Sequence, residues 1–142
     1  MTSLISRIEI ATDPSSPSED LDLLLRDRSQ QVRCAVAYNR SCSTHGLAIL
    51  ANDSVWFVRA AVARNPRCPD LAFEALSRDP HYGVRRAVLE NPQCPEDTVR
   101  RMRYDPSTNV RVLAVARFAQ MLGAERDARQ GLEEPSLSEN IF

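Results

Sequence analysis

The sequence predicts an all-α protein: a helical solenoid of four 26-residue, two-helix repeats with atypical end caps. Two observations carry that reading. The dipeptide Val-Arg stands at Val32-Arg33, Val58-Arg59, Val84-Arg85 and Val110-Arg111, each 26 residues after the last. Asp27, Asp53, Asp79 and Asp105 keep the same step, as do the apolar series Leu21, Leu47, Phe73, Val99 and Leu24, Leu50, Leu76, Met102.

The units fall at 13–38, 39–64, 65–90 and 91–116, each opening on a turn-forming block. These blocks are Asp13-Pro14-x-x-Pro17, Asn39-Arg40-Ser41-Cys42-Ser43, Asn65-Pro66-x-Cys68-Pro69 and Asn91-Pro92-x-Cys94-Pro95. Residues 1–12 read as a half-repeat cap, with Arg7, Ile10 and Ala11 on the Arg, Val and Ala positions. After Arg117 the pattern fails, so 117–130 is expected to be a capping helix and 131–142 a flexible tail. The tail's apolar end, Ile141-Phe142, offers a route to self-association.

Within a unit, apolar residues three apart mark the face of a first helix. Pro69 and Pro95, followed by acids, suit a first helical turn, where no amide partner is needed and negative charge meets the positive end of the dipole. A second short helix carries Val-Arg-x-Ala-Val-Ala and stops at Asn-Pro, because proline cannot continue it. No stretch alternates with period two, so no sheet is expected. Neither helix buries its apolar face alone, and stacked neighbours must supply the core.

The pattern L-x-x-L-x-x-D-x-x-x-x-V-R-x-x-V-A-x-N-P-x-x-P resembles the leucine-rich repeat variant family, and its Asp-then-Val-Arg spacing is similar to HEAT/armadillo-like repeats. The resemblance implies short paired helices, one often 3₁₀, stacked into a right-handed superhelix. Some variant-repeat proteins carry an N-terminal cysteine cluster holding an iron–sulfur centre. Here no cysteine precedes Cys34, so that cofactor is not carried over, and none is expected.

Two polar features need weighing. The Asp and Arg series (Asp27, Arg33, Asp53, Arg59, Asp79, Arg85, Asp105, Arg111) are expected to pair as a structural spine, each Arg fork bonding a carboxylate in its own or the adjacent unit. Cys42, Cys68 and Cys94 share one repeat position, hence successive layers too far apart for a disulfide or a common zinc ion. They are expected to be buried free thiols. His45 and His81 have no ligand-spaced or triad-spaced partner, and no phosphate loop or nucleophile motif occurs, so catalysis and metal binding are not expected.

Function should be written where the units differ. Trp56 and Tyr82 are equivalent in adjacent units, and Tyr38, Arg64 and Arg86 fall on variable rows of the second helix. Together they form a candidate partner-binding patch. The alternative is that Trp56 and Phe57 tuck under a neighbouring turn as satellite core.

The leading expectation is a non-catalytic protein-interaction scaffold. A nucleic-acid-binding module is the alternative. It is motivated by residues 21–118, where 15 Arg face 10 acids, whereas the whole chain carries a net charge of −1 and acidic ends. No apolar run is long enough to span a membrane, and the N-terminus lacks a basic, then apolar leader pattern, so the cytoplasm is the expected compartment.

Overall fold

A computed structural model describes residues 2–132. The described residues form α-helices and turns with no strand. Two series of helices alternate along the chain. The first comprises α2 (Ser18–Asp22), α4 (Thr44–Leu50), α6 (Asp70–Leu76) and α8 (Glu96–Met102). The second comprises α1 (Leu4–Thr12), α3 (Gln30–Tyr38), α5 (Trp56–Arg64), α7 (Tyr82–Glu90) and α9 (Thr108–Leu132). Start positions repeat at the sequence period, at 18, 44, 70 and 96 in the first series and at 4, 30, 56, 82 and 108 in the second.

The second series packs side by side, α1 on α3, α3 on α5, α5 on α7 and α7 on α9. One continuous core results. Its second-helix residues are Ala11, Val32, Val36, Val58, Val62, Val84, Val88, Val110 and Ala114, and the first helices add Leu21, Leu47, Phe73 and Val99, all fully buried. Alanine at Ala37, Ala61 and Ala63 lets neighbouring helices approach closely, and each of the three is fully buried.

The first helices begin behind a proline or a serine. Pro17, Pro69 and Pro95 stand at the N-cap of α2, α6 and α8, whereas Ser43 caps α4 by accepting the Gly46 amide. Serine therefore replaces proline at 43 with a side-chain cap instead of a fixed φ. Each first helix ends in a tightened turn, the Asp amide bonding three residues back: Asp27 to Leu24, Asp53 to Leu50, Asp79 to Leu76 and Asp105 to Met102.

That turn delivers the Asp to a three-way clamp. Its Oδ1 accepts the amide two residues on (Ser29, Val55, His81 and Ser107), which closes the entry to the second helix. Its carboxylate accepts the Arg fork of the preceding unit. Arg33 Nε and Nη2 lie 2.7 and 3.1 Å from Asp53, Arg59 2.6 and 3.0 Å from Asp79, and Arg85 2.7 and 3.1 Å from Asp105. In the half-repeat cap Arg7 Nε lies 2.7 Å from Asp27 as an ion pair, without the two-bond fork of the later units. Meanwhile Nη1 of Arg33, Arg59, Arg85 and Arg111 donates to the backbone carbonyl of its own unit's Asp. Arg33, Arg59 and Arg85 thus each fasten their own bend with one nitrogen and the next unit with two.

A second ladder runs along the other end of the helices. Nδ2 of Asn39 donates to the carbonyls of Ala11 and Asp13, that of Asn65 to Ala37 and Asn39, and that of Asn91 to Ala63 and Asn65. Each Asn stands at the end of one second helix, and its acceptors lie at the end of the second helix before it, where carbonyls lack intrahelical partners. The Asn Oδ1 also accepts the amide two residues on. Asparagine thus does more than precede the proline that ends a helix: it ties one second helix to the next.

At the next position of this series stands Arg117, whose Nη1 donates to the Leu89 carbonyl. With neither asparagine nor proline there, the helix does not stop. Residues 117–130, where a capping helix was expected, lie within α9, which runs 25 residues from Thr108 to Leu132. Gly131, assigned to the tail, lies in its last turn, and the remainder of that tail, residues 133–142, lies outside the described residues.

Three outcomes test this frame. Asp79→Asn leaves the Arg59 fork half-paired in a buried site and is expected to cost about 3 kcal/mol. Asn65→Ala strips two buried carbonyls of their donor and is expected to cost about 2 kcal/mol. Urea melts of both variants check these figures, and unchanged midpoints would contradict the ladders.

The third outcome concerns pH. Burial pushes the Asp53 carboxyl up, but the Arg33 fork, the Val55 amide and the charges of Arg33 and Arg59 outweigh it and hold the group below its ordinary value. A depressed carboxylate stabilises fully above the unfolded value near 3.9 and loses that contribution as pH falls through the folded one. Below about pH 4 the native chain should therefore lose more stability per pH unit than Asp53→Asn, as urea melts across pH 2–7 will show.

Candidate functional site

Residues consumed by the two ladders are unavailable to a partner, which leaves the helix rims. The five candidate residues do not gather into one patch. They divide between opposite ends of the second-helix row.

At the N-terminal rim, Trp56 and Tyr82 are the first residues of α5 and α7, not part of a bend. Both are about half exposed, at 43% and 53%. Between them lies His81, a residue the sequence reading passed over. Its ring stacks on Trp56 at 4.1 Å with planes 6° apart, and on Tyr82 at 5.4 Å and 14°. His81 Nδ1 accepts the Gly83 amide and caps α7, which fixes the imidazole plane. Gly83 is part of the same construction. A Cβ there would come within 3.0 Å of His81 Nδ1 and 3.1 Å of Trp56 Cζ3, so a side chain would push the rings apart. Trp56 is therefore neither free nor core: one face is covered by His81, an edge meets Phe57 at 6.0 Å, and the rest is open.

Towards the C-terminal rim, Arg64 and Arg86 converge on one carboxylate. Arg64 Nε and Nη2 lie 3.0 and 2.8 Å from Glu90 Oε2, and Arg86 Nε lies 2.8 Å from Glu90 Oε1. Burial pulls the Arg64 guanidinium down, but its bond to Glu90, the Glu90 charge and the Tyr38 hydroxyl outweigh this and raise it. Tyr38, half exposed, thus belongs to this cluster. The signal for Glu90 was present: it occupies the repeat position of Arg64 one unit on, and opposite charges on equivalent positions of adjacent units meet across a layer.

Beside Tyr38 lies an apolar hollow of about 450 Å³, lined by Ala11, Gln31, Cys34, Ala35, Tyr38 and Phe57. Phe57 is half-buried there, against the core. The hollow contains no acid–base pair. Among the described residues, no group of three or more His, Cys, Asp or Glu side chains is placed to hold a metal ion. No helix among them is long and apolar enough to cross a membrane.

Comparison with known proteins fits the geometry. The leucine rich repeat variant pattern matches twice in tandem, over residues 56–81 and 82–107, and the helical architecture is compatible with HEAT-like character. These two stretches run from Trp56 to the end of the His81 bend and from Tyr82 to the turn before α9, so the match holds both ring-bearing helix starts. No curated protein and no solved structure matches the chain.

All four cysteines are free. Cys42, Cys68 and Cys94 lie buried in successive layers, each thiol facing the carbonyl of the following residue at 3.7–3.8 Å. Burial pushes these thiols up to about 11, 12 and 11 respectively. Cys34 is only half-buried and is raised by burial too. A thiol reagent at pH 8 is therefore expected to modify the native protein at Cys34 first, with the other three reacting only on unfolding. Mass spectrometry of the labelled chain reads this directly, and rapid native labelling of Cys68 would contradict it.

Proposed function

We propose that this chain, whose residues 56–107 carry the leucine rich repeat variant pattern twice in tandem, is a non-catalytic scaffold that binds a protein partner along the rim of its second helices. The reading takes the stack as a right-handed superhelix of four 26-residue units, the arrangement the family resemblance implies. One observation carries it. The repeating polar residues are spent on stacking, whereas the aromatic groups that break the repeat, Trp56, His81 and Tyr82, form an ordered and partly exposed stack. Rigid rings with a polar edge contribute contact area at little conformational cost, which is what an anchor for a partner needs.

The same geometry weighs against nucleic acid as the partner. Six of the 15 arginines of the repeat region are committed to carboxylates at 2.6–2.8 Å: Arg33, Arg59 and Arg85 to Asp, Arg64 and Arg86 to Glu90, and Arg100 to Glu96. Phosphate-led binding needs uncommitted cations and weakens steeply with salt.

Affinity capture from the native host, with Trp56→Ala and Tyr82→Ala beside the unaltered chain, tests the reading. Both variants are expected to keep their melting temperature within a few degrees, since surface changes cost about 0.5 kcal/mol. They should lose the captured protein by at least tenfold. If both retain it, or if capture depends on nucleic acid and fades from 50 to 200 mM salt, the reading fails.

A further inference from the structure

The aromatic rim and the arginine cluster are separate, and the apolar hollow lies between them. Phe57 forms one wall, its ring nearly perpendicular to that of Trp56 at 6.0 Å. Tyr38 forms another, and its hydroxyl meets Arg64. Burial raises the Cys34 thiol in the lining, and the nearby Arg64 charge opposes that rise. A guanidinium therefore stands within reach of a hollow of about 450 Å³ whose lining holds no charged side chain.

The charge of this face is unbalanced. Helical spacing puts positions 5, 8 and 12, and their equivalents every 26 residues, on one side of the second helices. These three rows of five hold Arg64, Arg86 and Glu90 as their only charged residues. One carboxylate thus serves two guanidinium groups. Arg86 gives Glu90 only its Nε, and its side chain is 56% exposed, so its outer nitrogens face solvent. A phosphate backbone finds too little here, since counterion-led binding needs many uncommitted cations. A single carboxylate finds a fork.

This inference rests on the partner-binding reading above. We propose that the partner presents an extended segment carrying an apolar side chain and a carboxylate, the first filling the hollow and the second meeting Arg64 and Arg86. The spacing is set by the stack. The hollow lies over α3, lined also from α1 and α5, while Arg64 stands on α5 and Arg86 on α7. Neighbouring helices lie about 8–10 Å apart. At about 3.3 Å per residue, the carboxylate follows or precedes the apolar residue by about three to six positions.

The test is selection of randomised twelve-residue peptides, displayed on phage, against the full-length chain. The most enriched peptide is then titrated against the unaltered chain, Cys34→Phe, Arg86→Gln and Trp56→Ala. Enriched peptides should pair Leu, Ile, Met or Phe with Asp or Glu at that spacing. Affinity should fall about tenfold when Cys34→Phe fills the hollow and about fivefold in Arg86→Gln. Alkylation of Cys34 in the unaltered chain, which needs no variant to fold, should slow about tenfold under saturating peptide. Absent enrichment, enrichment of basic peptides, or unslowed alkylation with unchanged affinity in Cys34→Phe and Arg86→Gln overturns the proposal. Affinity lost in Trp56→Ala alone also overturns it, yet leaves the partner-binding role at the aromatic rim standing.

Discussion

Everything in this structure depends on one bond set, the fork of an arginine closing on the aspartate of the following unit. Short helices of seven to nine residues are too short to persist alone in water. They hold because each is pinned at its start to a neighbour. The aspartate is bonded from three directions, by the fork, by the amide two residues on and through its own carbonyl by the next arginine. Burying that charge is costly in isolation, and the full set of partners offsets the cost. The asparagine ladder does the same at the opposite rim with a neutral group, satisfying carbonyls that a helix end leaves bare.

Much of this was legible before any coordinates. The 26-residue period located the helix starts, and the joint recurrence of Asp and Val-Arg announced a paired spine. What the sequence left open was direction, since the pattern admitted pairing within a unit as readily as between units. The six-residue step from Asp27 to Arg33 turns out to serve a backbone carbonyl, while the twenty-residue step from Arg33 to Asp53 serves the carboxylate. The bonding partners of asparagine were hidden for a related reason. Its role as a helix stop is local and visible in sequence, whereas its bonds to carbonyls 26 and 28 residues back exist only after stacking.

The candidate site was legible in its residues but not in its grouping. Trp56 and Tyr82 share a repeat position, and adjacency followed from that alone. His81 and Glu90 were missed because each acts through a neighbour: one is sandwiched between rings, the other neutralises two arginines. His81 orders the aromatic rim into a stack, whereas Glu90 draws two arginines of adjacent units onto one carboxylate. Where the period breaks at Arg117, a different consequence follows, since a helix without its stop continues past the stack and exposes the face that a further unit would cover.

The arginine–carboxylate pairing runs between units, while within a unit the arginine meets only a backbone carbonyl. Two double-mutant cycles measure it most directly, one pairing Arg59→Met with Asp79→Asn and the other pairing Arg59→Met with Asp53→Asn. A coupling of about 2 kcal/mol in the first and a clearly smaller one in the second is the expected result, because Arg59 bonds the carboxylate of Asp79 but touches Asp53 only at its carbonyl and otherwise acts on it through charge. Equal couplings, or a stronger one within the unit, would contradict the account.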